Sequence, residues 1–308
     1  MSLQFIYGRS GSGKSFHCLN SIKIKQNMDS SKKLVLLVPE QYTLQAERDL
    51  IKVLGTGGIL NTEVLSFRRM AYRVLNDVGG ITYPHIHPAG KNMIIYRILD
   101  RLKEEFTIFY KSANCKGFVN TLSTLITELK RYNVKAESFD GVLEELTEDN
   151  YLAHKLKEIK LIYGEFDNML ENRYRDTDDE LTLLSSKLYC TEMYSKSEIW
   201  IDGFAGFTPQ EIDVISKLMQ QAENVYITIC TDVLFDEVKS DSTDVFASVK
   251  RSIKKFVSIA EACGVKILPP VGLNKAILPR FKDSRELQSL EANYFSFPYR
   301  LISSQQQI

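Results

Sequence analysis

Residues 3–15 of the chain read Leu3-Gln4-Phe5-Ile6-Tyr7-Gly8-Arg9-Ser10-Gly11-Ser12-Gly13-Lys14-Ser15. The last eight residues match the pattern G-x-x-x-x-G-K-[S/T], and they stand between a predicted strand and a predicted helix, the setting in which that pattern binds phosphate. Glycines let backbone N–H groups converge on phosphate oxygens, and the N-terminus of the helix adds partial positive charge. The stretch predicts an α/β P-loop fold.

The residue types of the predicted phosphate loop suit the binding of phosphate and Mg²⁺. Lys14 is expected to reach the β- and γ-phosphates of a nucleoside triphosphate, and Ser15 to supply a hydroxyl to Mg²⁺. Arg9, Ser10 and Ser12 are tolerated because the backbone makes most of the phosphate contacts. The predicted nucleotide-binding residues are Gly8, Arg9, Ser10, Gly11, Ser12, Gly13, Lys14 and Ser15.

Strands and helices alternate after the loop. A continuous apolar run at 34–38 is typical of a parallel strand that is buried on both faces, and a short strand is predicted at 62–65. Helical periodicity follows each of them, at 43–54 and 66–76. This order predicts a mostly parallel sheet with helices on both of its faces.

The pattern changes after residues 78–80. Only helices are predicted from 89 to about 190, and strands return at 198–202, 225–229 and 265–268, with further helices after Thr208 and over 245–262. Thr208, Pro209 and Glu211 form a capping-box sequence. The resulting division has a discontinuous nucleotide-binding domain at 1–84 and 191–270, a helical insertion at 85–190, and a tail or the start of a further region at 271–308.

Composition narrows the class of protein. The 308 residues are 44% hydrophobic and 25% charged, as expected of a globular protein, and neither a signal peptide nor a membrane span is recognisable. The five cysteines are scattered without a Cys-x-x-Cys pair, so neither a disulfide framework nor a zinc site is expected. With 39 basic and 39 acidic residues, any polyanion site must be local. We expect a cytoplasmic chain with no membrane partner.

A carboxylate at the end of a neighbouring strand is needed to hold the metal, and Asp202 is placed for that role. The alternative is that Asp202 only begins an Asp-Gly turn. In translocating helicases the next residue is a glutamate that acts as general base, but here it is Gly203. We therefore assign no catalytic residue and expect slow hydrolysis, unless Glu211 or another group takes that role; Glu211 is better explained as the capping-box partner.

Three further stretches carry a family resemblance. They are Val38-Pro39-Glu40-Gln41-Tyr42-Thr43-Leu44-Gln45-Ala46-Glu47, Leu65-Ser66-Phe67-Arg68-Arg69-Met70-Ala71 and Ile201-Asp202-Gly203-Phe204-Ala205-Gly206-Phe207-Thr208-Pro209-Gln210-Glu211. Together with the phosphate loop they resemble the N-terminal region of the AddB family of helicase–nuclease subunits. The resemblance covers essentially the whole chain.

The resemblance implies a superfamily 1 helicase architecture, with this chain as the first RecA-like domain and its helical insertion. It also implies ATP and Mg²⁺ as ligands, an AddA-type partner subunit, and double-strand ends and single-stranded DNA as substrates in recombinational repair. The second RecA-like domain, the nuclease and its iron–sulfur cluster would lie beyond Ile308. We therefore expect neither helicase nor nuclease activity from this chain alone.

The resemblance also points to residues that face DNA. Positions that match the family's DNA-facing loops are Gln41, Thr43, Phe67, Arg69 and Phe207. Hydrogen-bonding, stacking and cationic side chains suit single-stranded DNA. Spacing alone favours ordinary roles instead: a core aromatic at 67, a solvated cation at 69 and helix N-terminal residues at 41 and 43.

Two other functions compete with this interpretation. A P-loop small-molecule kinase would need an arginine-bearing lid and a compact acceptor pocket, which a helical insertion of this length does not suggest. A fully active helicase motor would need a second RecA-like domain, for which no room is left after residue 268. Binding of DNA would favour the helicase–nuclease interpretation, whereas transfer of phosphate to a small molecule would favour the kinase.

Overall fold

A computed structural model describes residues 1–55, 61–81, 83–147, 150–235, 244–275 and 277–294. They form two compact units. The first, called the sheet unit, takes residues 1–70, 188–207 and the described residues from 212 onward. The second, the helical unit, takes residues 71–187 and 208–211. The first two crossings, after residues 70 and 187, lie earlier in the chain than the predicted boundaries at 84 and 190.

The sheet unit is built on one parallel sheet. Its strands lie in the order β3-β2-β4-β5-β1-β6, with β7 also paired to β1, and every pairing among them is parallel. The strands are β1 Ser2–Tyr7, β2 Leu34–Leu37, β3 Thr62–Leu65, β4 Glu198–Ile201, β5 Asn224–Ile229, β6 Lys266–Ile267 and β7 Val271–Gly272. The predicted α/β class with a parallel sheet is confirmed.

Helices cover the sheet and make up the helical unit. They are α1 Lys14–Met28, α2 Thr43–Leu54, α3 Phe67–Val78, α4 Pro88–Leu102, α5 Lys116–Arg131, α6 Phe139–Glu145, α7 Tyr151–Leu170, α8 Glu180–Lys187, α9 Pro209–Met219, α10 Ala247–Ala262 and α11 Arg285–Asn293. The predicted capping box begins α9: the Thr208 amide donates to Glu211 Oε2 at 2.7 Å and the Glu211 amide to Thr208 Oγ1 at 3.3 Å. No helix within the described ranges combines the length and apolar character needed to span a bilayer.

The apolar sequence runs explain the central strands. All four residues of β2 and all four of β4 are buried, as a parallel strand covered on both faces requires. On one face of the sheet Cys18, Leu19 and Ile22 of α1 and Leu50 of α2 pack around Trp200. Burying this surface fixes where α1 begins relative to the end of β1.

On the side of β1 away from β5, two short strands, β6 and β7, pair with β1, and two prolines separate them. β6 pairs with Ser2 and Leu3, whereas β7 pairs with Ile6 and Tyr7. Pro269 and Pro270 lie between them and have no N–H for the ladder. The side chain of Gln4 donates to the carbonyl of Pro269 at 2.8 Å and bridges the gap. β7 thereby leads the chain to the end of β1 where the phosphate loop begins.

The helical unit has its own core and a set of ion pairs around two buried lysines. Ile98, Phe106, Leu122, Ile162 and Phe166 are among the apolar side chains that form this core. The charges are Lys91 with Asp176 and Asp178, at 3.0 and 2.7 Å, and Lys130 with Asp179 at 2.6 Å. Ion pairing of this kind is the usual condition for burying a lysine.

Residues 271–308 are predicted as a tail or the start of a further region, and their described part, 271–275 and 277–294, contains regular elements. The elements are β7, the 3₁₀ turn Pro279–Phe281 and α11, which Ser284 caps through a 3.3 Å hydrogen bond to the Leu287 amide. These elements are short, and their apolar residues gain burial only through distant partners, which is why periodicity missed them. Most of the turn predicted at 55–58, Thr82, and the tail from 295 to 308 lie outside the described residues.

Candidate phosphate-binding site

The predicted phosphate loop lies between the carboxyl end of β1 and the N-terminus of α1. The Gly8 amide donates to the Ile229 carbonyl of β5 at 3.2 Å, which anchors the start of the loop to the next strand. Lys14 is the first residue of α1, a helix of 15 residues whose free N-terminal amides face the loop. The loop thus stands where backbone donors and the helix dipole favour an anion.

The interior of the loop contains a buried hydroxyl without a partner. Ser12 is 4% exposed, and its Oγ makes no hydrogen bond among the described residues. A Cβ at position 8 would lie 2.4 Å from that oxygen, so only glycine fits there. Unsatisfied buried polar atoms are uncommon in folded proteins, and a hydrogen-bonding ligand would satisfy this one.

Lys14 is folded back onto its own loop. Its Nζ donates to the carbonyl oxygens of Gly8 at 2.7 Å and Arg9 at 3.0 Å. An ammonium group has three protons, so one remains for a ligand held by the loop. Burial lowers the pKa of Lys14, and the nearby Asp202 carboxylate opposes part of that effect. The charges of Lys14 and Asp202 are therefore close enough to influence each other.

Asp202 follows β4 and is 8% exposed. Its amide donates to the Leu37 carbonyl at 2.9 Å, and its Oδ1 accepts a 2.6 Å hydrogen bond from the Thr228 hydroxyl of β5. Burial, and then the Asp202 charge, raise the pKa of Cys18 in α1. The carboxylate is fixed in orientation and directs its field toward the start of α1.

The predicted metal ligands are one hydroxyl and one carboxylate. Ser15 is exposed in the first turn of α1, and Asp202 is held at the end of β4. Within the described part of the chain, no three histidine, cysteine or acidic side chains cluster as a metal site. An Mg²⁺ ion that is bound mainly by phosphates and water needs only one or two protein ligands, so this donor set fits it.

Gly203 occupies the position after Asp202 and has a left-handed backbone, with φ of 82°. A side chain there would meet only Pro39, at 3.5 Å, so the backbone conformation and not space favours glycine. Glu211, the predicted alternative base, is engaged by Thr208 in the capping box, and burial raises its pKa.

Asn274, just beyond β7, contacts the loop although the sequence analysis did not single it out. Its Oδ1 accepts from the Arg9 amide at 2.7 Å, and its Nδ2 donates to the Asp232 carbonyl at 2.7 Å. The side chain of Asp232 caps its own turn by accepting from the Val233 amide at 2.8 Å. Asn274 thus ties the phosphate loop to the loop after β5.

The segment from Pro279 to Asn293 covers the outer side of the loop. The Arg280 amide donates to the Gly11 carbonyl at 3.2 Å, and the Arg9 guanidinium pairs with the Glu291 carboxylate at 2.8 Å. A pocket of about 620 Å³ opens beside Arg9 and Ser10. Its size is that of a small-molecule site. The local sequence signals of this segment are weak, and the clearest is the serine cap at Ser284.

The residues predicted to face DNA differ in accessibility. Gln41 is exposed, and Arg69 is exposed and pairs with Glu47 at 2.8 Å. Thr43 and Phe67 are each 6% exposed: Thr43 donates to the Glu40 carbonyl at 3.1 Å, and the Phe67 ring packs on Phe204 with centroids 5.5 Å apart.

Phe207 is half-buried between two rings. Its ring centroid lies 5.2 Å from that of Phe204 and 5.2 Å from that of Phe256.

The histidines of the 83–87 loop have structural partners: His85 pairs with Glu180 at 2.9 Å, and His87 caps α4 through the Ala89 amide.

Comparison with known proteins gives consistent matches. A family model described as "ADDB, N-terminal" matches residues 5–291. A Ruminiclostridium cellulolyticum protein, named as the B subunit of an ATP-dependent helicase/deoxyribonuclease, is 83% identical over 300 residues, which are 97% of this chain and 26% of that protein. Proteins of the same name from Acetivibrio thermocellus and Clostridium botulinum (strain Loch Maree / Type A3) are 54% and 46% identical, with the same coverage. The chain spans about a quarter of the length of these relatives.

Proposed function

Because the chain belongs to the AddB family and corresponds to its N-terminal region, we propose that it is the ATP-binding, helicase-like front part of a helicase–nuclease subunit. In this proposal the whole protein pairs with an AddA-type subunit and processes double-strand DNA ends in the cytoplasm for homologous recombination. The names of the relatives support an ATP-dependent, DNA-processing role.

One observation carries the nucleotide-binding part of the proposal. Lys14 is held on the loop by the carbonyls of Gly8 and Arg9 and keeps one ammonium proton for a ligand. The unpartnered hydroxyl of Ser12 lies inside the same loop. A triphosphate would accept hydrogen bonds from both groups and from the amides at the start of α1.

Mg²⁺, when bound with the nucleotide, would neutralise part of the negative charge of the phosphates. Ser15 would offer its hydroxyl to the ion, and Asp202 would accept hydrogen bonds from the ion's water shell. The bond from Thr228 holds Asp202 in one orientation, so the carboxylate is prepared for that contact.

Hydrolysis by this chain is slow in our proposal. Efficient attack on the γ-phosphate needs a group that orients or deprotonates water. Gly203 offers none, and Glu211 is engaged in its capping box. The site is therefore suited to holding ATP, with turnover left to a partner motor.

The proposed architecture is a superfamily 1, RecA-like P-loop domain at 1–84 and 191–270 with a helical insertion at 85–190. The parallel sheet, with β1 between β5 and β6, supports it. For DNA we propose contacts by Gln41, Thr43, Phe67, Arg69 and Phe207. Gln41 and Arg69 are accessible, while Phe67 would have to be uncovered before its ring could stack on a base.

Calorimetric titration of Mg-ATP into wild type and Lys14→Ala tests the proposal. We expect saturable binding by wild type that the variant loses, with slow turnover that a single-stranded oligonucleotide does not accelerate. Lys52→Ala, which removes an exposed lysine of α2, is the matched control and should bind like wild type. Equal affinity of Lys14→Ala and wild type would refute nucleotide binding by this loop, and fast DNA-stimulated turnover would refute the holding role.

A further inference from the structure

Lys14, Arg9 and Arg280 are cationic residues in or beside the phosphate loop, and the side chains of the first two are already engaged. Lys14 donates to the carbonyls of Gly8 and Arg9. The Arg9 guanidinium is paired with Glu291, with its Nε 2.8 Å from the carboxylate. Its positive charge is therefore largely compensated and is a poor source of attraction for a new anion.

Arg280 is the third cation, and its backbone is fixed on the loop. Its amide donates to the Gly11 carbonyl at 3.2 Å, and its Cβ lies 2.9 Å from the position that a Cβ on Gly11 would take. Pro279, the preceding residue, lies beside Gly13. The side chain of Arg280 therefore begins at the edge of the phosphate loop, beside Gly11.

The guanidinium of Arg280 is exposed and pairs with no carboxylate in the described ranges. Its positive charge nevertheless acts on another cation, Lys14. Burial is the main reason that the pKa of Lys14 is lowered, and the positive charge of Arg280 lowers it further. Two like charges held near each other are unfavourable unless an anion joins them. A triphosphate between them would remove the repulsion and gain two attractions.

We propose that Arg280 is a nucleotide-contacting residue that donates to the phosphate oxygens of the triphosphate held by the Gly8–Ser15 loop. The inference rests on the proposed function of that loop. The planar guanidinium of Arg280 can bind two phosphate oxygens at once, which an ammonium group cannot do. The contact comes from within this chain, on the segment that follows the sheet, and so makes that segment part of the nucleotide site.

The test compares four proteins by calorimetry: wild type, Arg280→Ala, Arg280→Gln and Lys282→Ala. Lys282 lies two residues away with a 70% exposed side chain, and its removal changes the net charge equally. The probes are Mg-ATP and inorganic tripolyphosphate, which has no base or ribose. Both Arg280 variants should bind both probes about 10-fold more weakly than wild type, as expected for a charged hydrogen bond. Lys282→Ala should bind like wild type.

Two further readouts separate a phosphate contact from a structural role. The thermal midpoint without ligand should not fall in Arg280→Gln, because the residue is exposed and its loss only relieves repulsion on Lys14. The difference in tripolyphosphate affinity should shrink as salt is raised, since an exposed charge pair is screened. Arg280→Lys should recover part of the lost affinity.

Each outcome decides the inference. Equal losses in Arg280→Ala and Lys282→Ala would overturn it while leaving nucleotide binding by Lys14 intact. A loss for Mg-ATP but not for tripolyphosphate would also overturn it, because the contact would then lie on the nucleoside. If wild type bound neither probe, the inference and the proposed function would both be wrong.

Discussion

The hydroxyl of Thr228 donates a 2.6 Å hydrogen bond to the carboxylate of Asp202. The contact arises because β4 and β5 are parallel neighbours in which Ile201 pairs with Ile227, so the residues that follow those partners lie side by side. One carboxylate oxygen is thereby occupied, and the other is the one that we propose accepts from the water shell of a metal ion.

Replacing Asp202 by asparagine should weaken the dependence of ATP binding on Mg²⁺. The substitution keeps the shape of the side chain but removes the charge that orients the ion's water, an effect of about 10-fold for outer-shell groups. Titrations of ATP with Mg²⁺ and with EDTA measure it. Thr228→Val, which removes only the orienting bond, should show a smaller loss. A Mg²⁺ enhancement equal to that of wild type in Asp202→Asn would assign Asp202 to the turn alone.

Replacing Asn274 by alanine should loosen the phosphate loop. The variant loses the bonds to the Arg9 amide and the Asp232 carbonyl, and a net cost of about 1 kcal/mol in the free energy of unfolding is expected because the side chain is exposed. Urea unfolding measures this, and ATP affinity should fall as well. Asn92→Ala, which removes a surface bond to Asn120 at 3.0 Å, serves as the control and should change neither quantity.

Introducing glutamate at Gly203 should not create a working ATPase. The left-handed backbone at this position, with φ of 82°, costs about 1–2 kcal/mol for a residue with a Cβ. Chemical denaturation should show that loss for Gly203→Glu, and a smaller one for Gly203→Asn. Gly206→Ala, at a glycine with open space and no left-handed backbone, should cost little. A large gain in turnover with unchanged stability would contradict the prediction.

Replacing Glu158 by glutamine should destabilise the helical unit in a pH-dependent way. Its carboxylate accepts from the amides of Thr107, Ile108 and Phe109 at 2.6 to 2.8 Å and from the Thr107 hydroxyl at 2.9 Å. Burial alone would raise the pKa of Glu158, but these bonds outweigh it and lower the pKa. Loss of the charged acceptor should cost about 2 kcal/mol at pH 7.

The sign of the pH dependence follows from the lowered pKa of Glu158. The stabilisation is complete above the pKa of the unfolded chain and disappears as pH falls through the lower pKa of the folded state. The difference in unfolding free energy between wild type and Glu158→Gln should therefore shrink in acid. Glu104→Gln, at an exposed position, should show no such trend. A difference that stayed constant down to about pH 3 would mean that the carboxylate's charge is not what matters.

Local sequence patterns were sufficient for the regular elements. The helix predicted at 43–54 and the strand predicted at 62–65 coincide with α2 and β3, and the capping box at Thr208 and Glu211 is confirmed. These elements depend on periodicity, caps and turn residues within a few positions of each other. The strand predicted at 265–268 is present as β6, whereas β7 and α11 depend on partners elsewhere and were not predicted.

Residue types at fixed local spacing were enough to place the Gly8–Ser15 loop between a strand and a helix and to predict the parallel α/β sheet. The side chains that complete the loop are set by tertiary contacts instead. Asn274 and Glu291 reach Arg9 across 265 and 282 residues of chain, and Arg280 reaches Gly11 in the same way. Such contacts depend on how β7 pairs with β1 and on the path of the chain after β7. No local sequence pattern specifies that pairing, because the two strands are far apart in the chain.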